Sequence, residues 1–346
     1  MFLRKIILFP FSFLYLLITG SRNWLYSWGW KKSYQAPQIT IGVGNLKVGG
    51  TGKTPFTIYL LSLLSKSSNV AMLSRGYGRK TKGYLKATPQ SDPSLIGDEP
   101  YMVYQSFQQQ IPVVVSEDRY EGLTQFHRED SSITHVVLDD VFQHRKIKSN
   151  ILFLLTEYKD PFFKDMLLPG GMLREAPNNA NRADAVIVTK CPEEIQKEKF
   201  EKKLYKTISK DIPVFYTRLS YGDLKNNSTT LQPGNAQEVL LVSALGNPKP
   251  LDKYITQSYR LIKHFSYIDH FAYSEEVFKT IDTWLAEYEN AIIITTEKDW
   301  YKLQPFISQS CRPNSWYYLP ITVNIENEPA FLQWFQTKLA ALPVTK

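Results

Sequence analysis

The sequence predicts an α/β protein: a parallel-sheet domain behind an apolar amino-terminal helix, then a second, smaller α/β domain. Three observations predict it. Short β-branched runs alternate with stretches long enough for helices, a glycine-rich segment joins the first such run to the first such stretch, and a polar segment at 221–228 interrupts the alternation before it resumes. At 346 residues with 43% hydrophobic and 14% aromatic content, the chain can bury two cores, which excludes a largely disordered or collagen-like protein. The expected divisions are 1–33 for an anchor-helix region, 34–222 for the phosphate-binding domain, 223–237 for a linker and 238–346 for the C-terminal α/β domain.

The amino-terminal stretch carries an uncharged run from Ile6 to Ser21 between Arg4-Lys5 and Arg22, followed by Trp24, Tyr26, Trp28, Trp30 and Lys31-Lys32. Sixteen residues make about 24 Å of helix, short of the ~30 Å hydrocarbon core, and Pro10 weakens a straight span. Tryptophans flanked by basic residues favour a monotopic anchor at headgroup depth over a cleaved leader or an apolar helix docked on the protein's own core.

Charge is unevenly placed. Residues 1–91 hold 13 Lys/Arg and no Asp or Glu, so that first quarter is +13 and the remainder is −5. Such a surface needs an anionic partner: a nucleic acid, an acidic membrane face or a phosphorylated ligand. The basic residues form no recognised nucleic-acid module, which disfavours the first. Cys191 and Cys311, 120 residues apart, fit neither a disulfide framework nor a zinc site, and a reducing compartment is the default.

Strands are expected at Gln38–Asn45, Val70–Leu73, Ile111–Val115, Ile133–Leu138, Ile151–Leu155 and Ala185–Thr189, with a helix at Thr54–Leu64. After the polar segment come strands at Val239–Ser243, Ala291–Thr295 and Trp316–Val323 and a helix at Ser274–Tyr288.

Gly49-Gly50-Thr51-Gly52-Lys53-Thr54 follows the first strand and opens the first helix. In that setting backbone N–H groups close around phosphate oxygens, Lys53 reaches the β/γ-phosphates and the Thr54 hydroxyl meets Mg²⁺. Lys47 occupies the first glycine position of G-x-x-x-x-G-K-[ST]. A P-loop also needs an acid at a neighbouring strand end, and His135-Val136-Val137-Leu138-Asp139-Asp140 supplies two carboxylates. The first domain is thus P-loop NTPase-like. Asp98, two residues before Pro100, reads from spacing alone as a helix cap, and His270 as an ordinary satisfied histidine.

The ordered series Val43-Gly44-Asn45-Leu46-Lys47-Val48-Gly49-Gly50-Thr51-Gly52-Lys53-Thr54-Pro55, Leu73-Ser74-Arg75-Gly76-Tyr77, Gly97-Asp98-Glu99-Pro100, Ser116-Glu117-Asp118-Arg119-Tyr120, Leu138-Asp139-Asp140-Val141-Phe142-Gln143-His144, Leu168-Pro169-Gly170-Gly171-Met172-Leu173-Arg174-Glu175 and Arg182-Ala183-Asp184 closely resembles the tetraacyldisaccharide 4′-kinases of lipid A biosynthesis. Asp269-His270-Phe271, Tyr273-Ser274 and Thr295-Thr296-Glu297-Lys298-Asp299 extend the resemblance into the second domain. Two positions depart: Val141 stands where the family usually has glycine, and Gly171-Met172 replaces its usual Ala-Gly-Pro context.

The resemblance implies transfer of the ATP γ-phosphoryl group to the 4′-hydroxyl of a tetraacyldisaccharide 1-phosphate, with Mg²⁺, against the anionic cytoplasmic face of a bacterial inner membrane. It assigns nucleotide binding to Gly49, Gly50, Thr51, Gly52, Lys53 and Thr54, and the metal to Thr54, Asp139 and Asp140, with Glu99 and Gln143 beside them. Asp98 becomes the proton acceptor, oriented by His270, with Lys53, Asp139 and Asp140 completing the catalytic set. Asn45, Arg75, Tyr77, Arg119, His144 and Arg174 become candidates for lipid or phosphate contacts. If His270 reaches Asp98, the second domain must close over the first. Two rivals stay open: a membrane-tethered ATPase or GTPase switch, and a non-enzymatic nucleotide-binding scaffold. Thr189-Lys190-Cys191-Pro192 weakly resembles a guanine-reading N/T-K-x-D element but lacks its Asp.

Overall fold

The computed structural model describes residues 2–342 apart from 227, 228, 233 and 235, and side chains from residue 7 onward. The first helix, α1 (Phe2–Ser27), continues through Pro10. Then come β1 (Ile39–Asn45), α2 (Lys53–Leu64), β2 (Val70–Ser74), β3 (Leu85–Lys86), α3 (Pro93–Ile96), α4 (Asp98–Ser106), β4 (Val113–Val115), α5 (Arg119–Glu129), β5 (His135–Leu138), β6 (Ile151–Glu157), β7 (Ala185–Thr189), α6 (Lys197–Leu204) and β8 (Val214–Tyr221). The rest comprises β9 (Leu224–Lys225), β10 (Thr230–Leu231), β11 (Glu238–Ala244), α7 (Lys249–Ser258), β12 (Arg260–Tyr267), α8 (Glu275–Glu287), β13 (Ile292–Thr296), α9 (Glu297–Ile307), β14 (Trp316–Leu319), β15 (Ile321–Ile325) and α10 (Glu328–Ala340).

Nine strands form the first sheet in the order β15-β8-β7-β6-β1-β5-β2-β4-β3. All neighbours from β8 to β4 are parallel, and the two edges, β15 and β3, are antiparallel. Continuous apolar runs such as Ala185–Val188 are buried because helices cover both faces of such a sheet. The chain leaves β1 toward β2 and later returns to its other side as β6, so the strand order reverses at β1. Ligands of open α/β sheets bind at the carboxyl ends beside such a reversal. The second sheet, β10-β9-β14-β13-β11-β12, is parallel from β14 to β12.

The expected strand Trp316–Val323 is two strands in two sheets. Pro320, which has no N–H to donate to a ladder, separates β14 of the second sheet from β15, which pairs with β8 of the first. The stretch expected to be wholly C-terminal, 238–346, is therefore divided: β15 and α10 return to the first sheet, where Phe331 and Phe335 are buried and pack against Phe153. Within the expected linker, Leu224–Lys225 forms β9, which pairs with β10 and β14; Asn227 and Ser228 lie outside the described residues.

The two sheets meet along α4 and α9. There Tyr101 and Tyr301 make an edge-to-face pair with centroids 6.0 Å apart, and Ser106 Oγ donates to Glu297 Oε1 at 2.8 Å.

Candidate active site

The loop between β1 and α2 is shaped by glycine. Gly49 and Gly52 adopt φ of +118° and +83°, conformations that other residues hold only with strain, and a Cβ on Gly49 or Gly50 would meet nothing within 4 Å. The loop is pinned from behind: Asn45 Nδ2 donates to Thr51 Oγ1 (2.8 Å), Thr189 Oγ1 to Thr51 O (2.9 Å) and Lys190 Nζ to Gly50 O (2.5 Å). Lys47, at the first glycine position, is buried and turned away from the loop's mouth into ion pairs with Asp160 (2.5 Å) and Asp165 (2.8 Å). Thr189-Lys190 thus braces the loop, with Lys190 also paired to Glu157 at 2.8 Å.

Beside this loop β5 ends in Asp139 and Asp140, whose environments differ. Asp139 is 1% exposed and its Oδ1 has no hydrogen-bond partner. Burial, then the nearby Glu99 and Asp140 carboxylates, push its pKa upward. Burial acts the same way on Asp140, but Lys53 and Arg174 outweigh it and hold Asp140 below the usual carboxylate range. Lys53 Nζ is 3.6 Å from Asp140 Oδ1. Asp140 takes a left-handed φ of +47°, while Val141 keeps its own φ negative and is buried over β1. Room for this crossing comes from Gly42 and Gly44, where a Cβ would come within 2.8 Å of Val141 Cγ1 and 2.7 Å of Phe142 N.

Asp98 is the first residue of α4, and Gly97, not Asp98, occupies the cap position. Its side chain points across the seam: His270 Nδ1 lies 2.9 Å from Asp98 Oδ2. His270 holds a φ of +61°, an uncommon conformation that clusters at functional sites. Burial would raise the Asp98 pKa, yet the hydrogen bonds from His270 and Lys302 lower it to about 2. The pair therefore joins the two sheet-centred units.

A family profile for tetraacyldisaccharide-1-P 4′-kinase matches residues 4–340. The chain belongs to the tetraacyldisaccharide 4′-kinase family. It is 42% identical over 348 residues to the tetraacyldisaccharide 4′-kinase of Cytophaga hutchinsonii, covering 98% of this chain and 97% of that one. It is 38% identical to the enzyme of that name from Flavobacterium psychrophilum, covering 95% of each chain. A crystal structure of LpxK from Aquifex aeolicus, an "apo" form in complex with ATP, is similar with a TM-score of 0.78 at 32% identity, over 96% of this chain and 99% of that one.

In this family member a cleft of about 350 Å³ opens between α1 and the ends of β2 and β5. Glu99, Asp139, Asp140, Gln143, His144 and Arg174 line it, as do Arg75 and Tyr77. Burial, then the charges of Arg119 and Arg75, lower the His144 pKa to about 4, so the ring is neutral at pH 7. Tyr77 is 66% exposed, with its ring edge-on to His270 at 5.4 Å.

Two expected ligand contacts are corrected. Asn45 is fully buried, and its amide holds Thr51. Arg119 is 2% exposed and donates to Ser116 O (2.7 Å) and Asp139 O (3.4 Å), so it braces the acid loop from beneath and has no surface to offer a ligand. Gln143 is also engaged, donating to Asn45 O (2.8 Å) and accepting from Arg174 Nη1 (3.2 Å).

Helix α1 forms one wall of the cleft with its polar face inward. Ser12 Oγ donates to Leu167 O (3.0 Å), Tyr15 OH to Arg174 O (3.1 Å), Arg22 to Gln143 O (3.0 Å) and Asn23 Nδ2 to the buried Glu175 (2.8 Å). The opposite face leaves Phe9, Phe11, Phe13, Leu14, Leu17 and Ile18 exposed, so the apolar side is not docked on the protein's own core. No helix among the described residues is long and apolar enough to cross a membrane.

Sequence reasoning missed Lys302, which contacts Asp98, and assigned no role to Lys298. Their i, i+4 spacing on a helix beginning at the Thr295–Asp299 motif was the available signal.

Proposed function

We propose that the protein transfers the ATP γ-phosphoryl group to the 4′-hydroxyl of tetraacyldisaccharide 1-phosphate, in lipid A biosynthesis. The observation that carries the acceptor half of this reading is the Asp98–His270 pair, which spans the seam between the glycine loop's own domain and the second unit. A nucleotide switch acting on water has no need of a carboxylate clamped between two units.

The backbone of 49–52 and the Lys53 ammonium hold the phosphates, as a helix N-terminus with a basic side chain does in P-loops. Asp98, ionised at neutral pH, receives the acceptor proton. Its weak basicity suits a loose transition state, in which the hydroxyl proton is lost late and positioning supplies most of the rate. His270 Nδ1–H fixes the carboxylate's direction.

The residues fit a magnesium ion. The buried, unpartnered Asp139 Oδ1 is a hard oxygen donor that suits a cation, and the Thr54 hydroxyl lies at the start of α2, directly after the glycine loop. Asp140, held by Arg174 and Lys53, and Glu99 act around that site rather than as its first donors. Among the described residues there is no group of three or more His, Cys, Asp or Glu side chains that could hold a metal on its own. When bound, Mg²⁺ neutralises charge on the transferring group.

Arg75, His144 and Tyr77 face the lipid's phosphorylated disaccharide, while the exposed face of α1 enters the headgroup and acyl boundary of an anionic cytoplasmic leaflet. The first sheet-centred unit carries the glycine loop and Asp98, the second supplies His270, and the chain crosses between the two at 221–224 and again at Pro320.

The test is transfer of ³²P from [γ-³²P]ATP to tetraacyldisaccharide 1-phosphate in mixed micelles, for wild type and Asp98→Ala. Label in the lipid, reduced by about 10²-fold or more in the variant, supports the reading. Phosphate released only to water replaces it with the switch.

A further inference from the structure

Helix α9 carries Lys298 and Lys302 one turn apart, and both ammonium groups face Asp98 on α4. Lys302 Nζ is 2.6 Å from Asp98 Oδ2 and also donates to Phe271 O at 3.1 Å, with its side chain only 8% exposed. Lys298 Nζ is 3.6 Å from the same oxygen and 3.1 Å from Asp269 Oδ1. His270 Nδ1 stands 2.9 Å from Asp98 Oδ2 and 3.3 Å from Lys298 Nζ. An ammonium has no acceptor and Nδ1 has one role at a time, so Nδ1–H is directed to Asp98 and Lys298 donates to Asp269.

These contacts converge on one oxygen. A carboxylate oxygen has two in-plane lone pairs, and the donors from His270 and Lys302 fill both on Oδ2. An incoming proton then goes to Oδ1. A buried lysine is costly unless paired, and Asp98 is the carboxylate within ion-pair distance of Lys302 among the described residues. The seam between α4 and α9 is already joined by Tyr101–Tyr301 and Ser106–Glu297, so Lys302 is not needed to hold the helices together.

We propose that Lys302 is a positioning residue for phosphoryl transfer: it occupies Asp98 Oδ2 from the second unit, so that Oδ1 faces the acceptor hydroxyl. This rests on the reading of Asp98 as the proton acceptor. Lys302 touches neither substrate. Its effect passes through Asp98, and the carboxylate is oriented only when α9 is seated against α4.

The experiment is a double-mutant cycle read as ³²P transfer, using Lys302→Met, Asp98→Asn and the pair, with thermal midpoints recorded for each. Lys302→Met is expected to lower kcat by ~10 to 10²-fold, while KM for ATP and for the lipid stays within about twofold, because a misdirected base costs rate rather than binding. In the Asp98→Asn background the same substitution is expected to cost nothing further. Unchanged kcat in Lys302→Met, or an equal loss in both backgrounds, overturns the inference and leaves the reading of Asp98 standing. Full turnover by Asp98→Asn overturns that reading, and the inference with it. If Lys302→Met does not fold, Lys302→Ala, which likewise leaves no donor at Asp98 Oδ2, enters the same cycle under the same criteria.

Discussion

Arg174 Nη1 stands 3.1 and 3.0 Å from the two carboxylate oxygens of Asp140, while Asp139, the next residue back, leaves Oδ1 without a partner. Adjacent acids at one strand end thus have opposite electrostatics. Asp140 is a compensated charge that orients Arg174 and Lys53, and Asp139 is the uncompensated one.

The asymmetry predicts a stability profile. The pKa of Asp139 is raised in the folded state, so the group contributes stability below the ordinary carboxylate pKa, and that contribution is lost as pH rises toward neutrality. In metal-free protein, Asp139→Asn is therefore expected to melt above wild type at pH 8 by roughly 2–8 °C, for about 1–2 kcal/mol relieved, with the gap closing near pH 4. Kinase turnover falls at the same time. Thermal melts across pH check it, and a gap independent of pH would refute the assignment of the unpaired charge.

Lys47 and Lys53 flank one loop and predict opposite phenotypes. Lys53→Ala is expected to lower kcat by about 10²-fold or more with a near-native thermal midpoint, since its task is the phosphate charge. Lys47→Met strands Asp165, whose side chain is only 14% exposed, and is expected to cost stability by ~3 kcal/mol, less for the exposed Asp160. Urea unfolding of the two variants beside their turnover separates them. Similar losses of stability in both would sink the distinction.

The residues proposed to hold phosphate and metal were legible because their chemistry is local. A glycine loop must follow a strand, and acids must end the neighbouring one, so Gly49–Thr54 and Asp139-Asp140 stand out as patterns. What was not legible depends on which distant segments meet. Arg119 looks like any surface arginine at the start of a helix until β5 closes over it, and Asn45 looks ligand-facing until Thr51 turns back onto it. Trp316–Val323 reads as one apolar run, yet Pro320 breaks its ladder and sends the halves to different sheets. Pairing of His270 with Asp98 came from the family resemblance, since 172 residues separate them and no periodicity spans that distance.

The outward face of α1 predicts a membrane phenotype separable from catalysis. Phe9, Phe13 and Leu17 are each more than half exposed, and none belongs to the polar face that Ser12, Tyr15 and Asn23 turn to the cleft. Replacing all three with Ser removes three apolar anchors at about 1.5–3 kcal/mol each, so partitioning onto anionic vesicles should fall by at least ~10²-fold. Turnover on lipid dispersed in detergent should change little. Vesicle co-sedimentation beside the micellar assay reads both, and undiminished sedimentation would show that α1 does not carry the attachment.

The carboxyl-terminal return predicts that the first sheet needs the last helix. Phe331 is fully buried against Phe56 of α2 and Phe153 of β6, and Tyr59 OH donates to Glu328 Oε1 at 2.6 Å, so α10 closes the core beneath the nucleotide loop although some 270 residues of chain lie between. Phe331→Ala leaves a cavity that rigid strands cannot fill and is expected to cost ~3–5 kcal/mol. Because α2 begins with Lys53, the loss should reach the loop: ATP is expected to restore much of the thermal midpoint by stabilising the folded form, as any ligand of the native state does. Urea unfolding measures the first effect, and thermal melts with and without ATP the second. If Phe331→Ala destabilised only the second unit and left the first sheet's transition in place, the assignment of α10 to that core would be wrong.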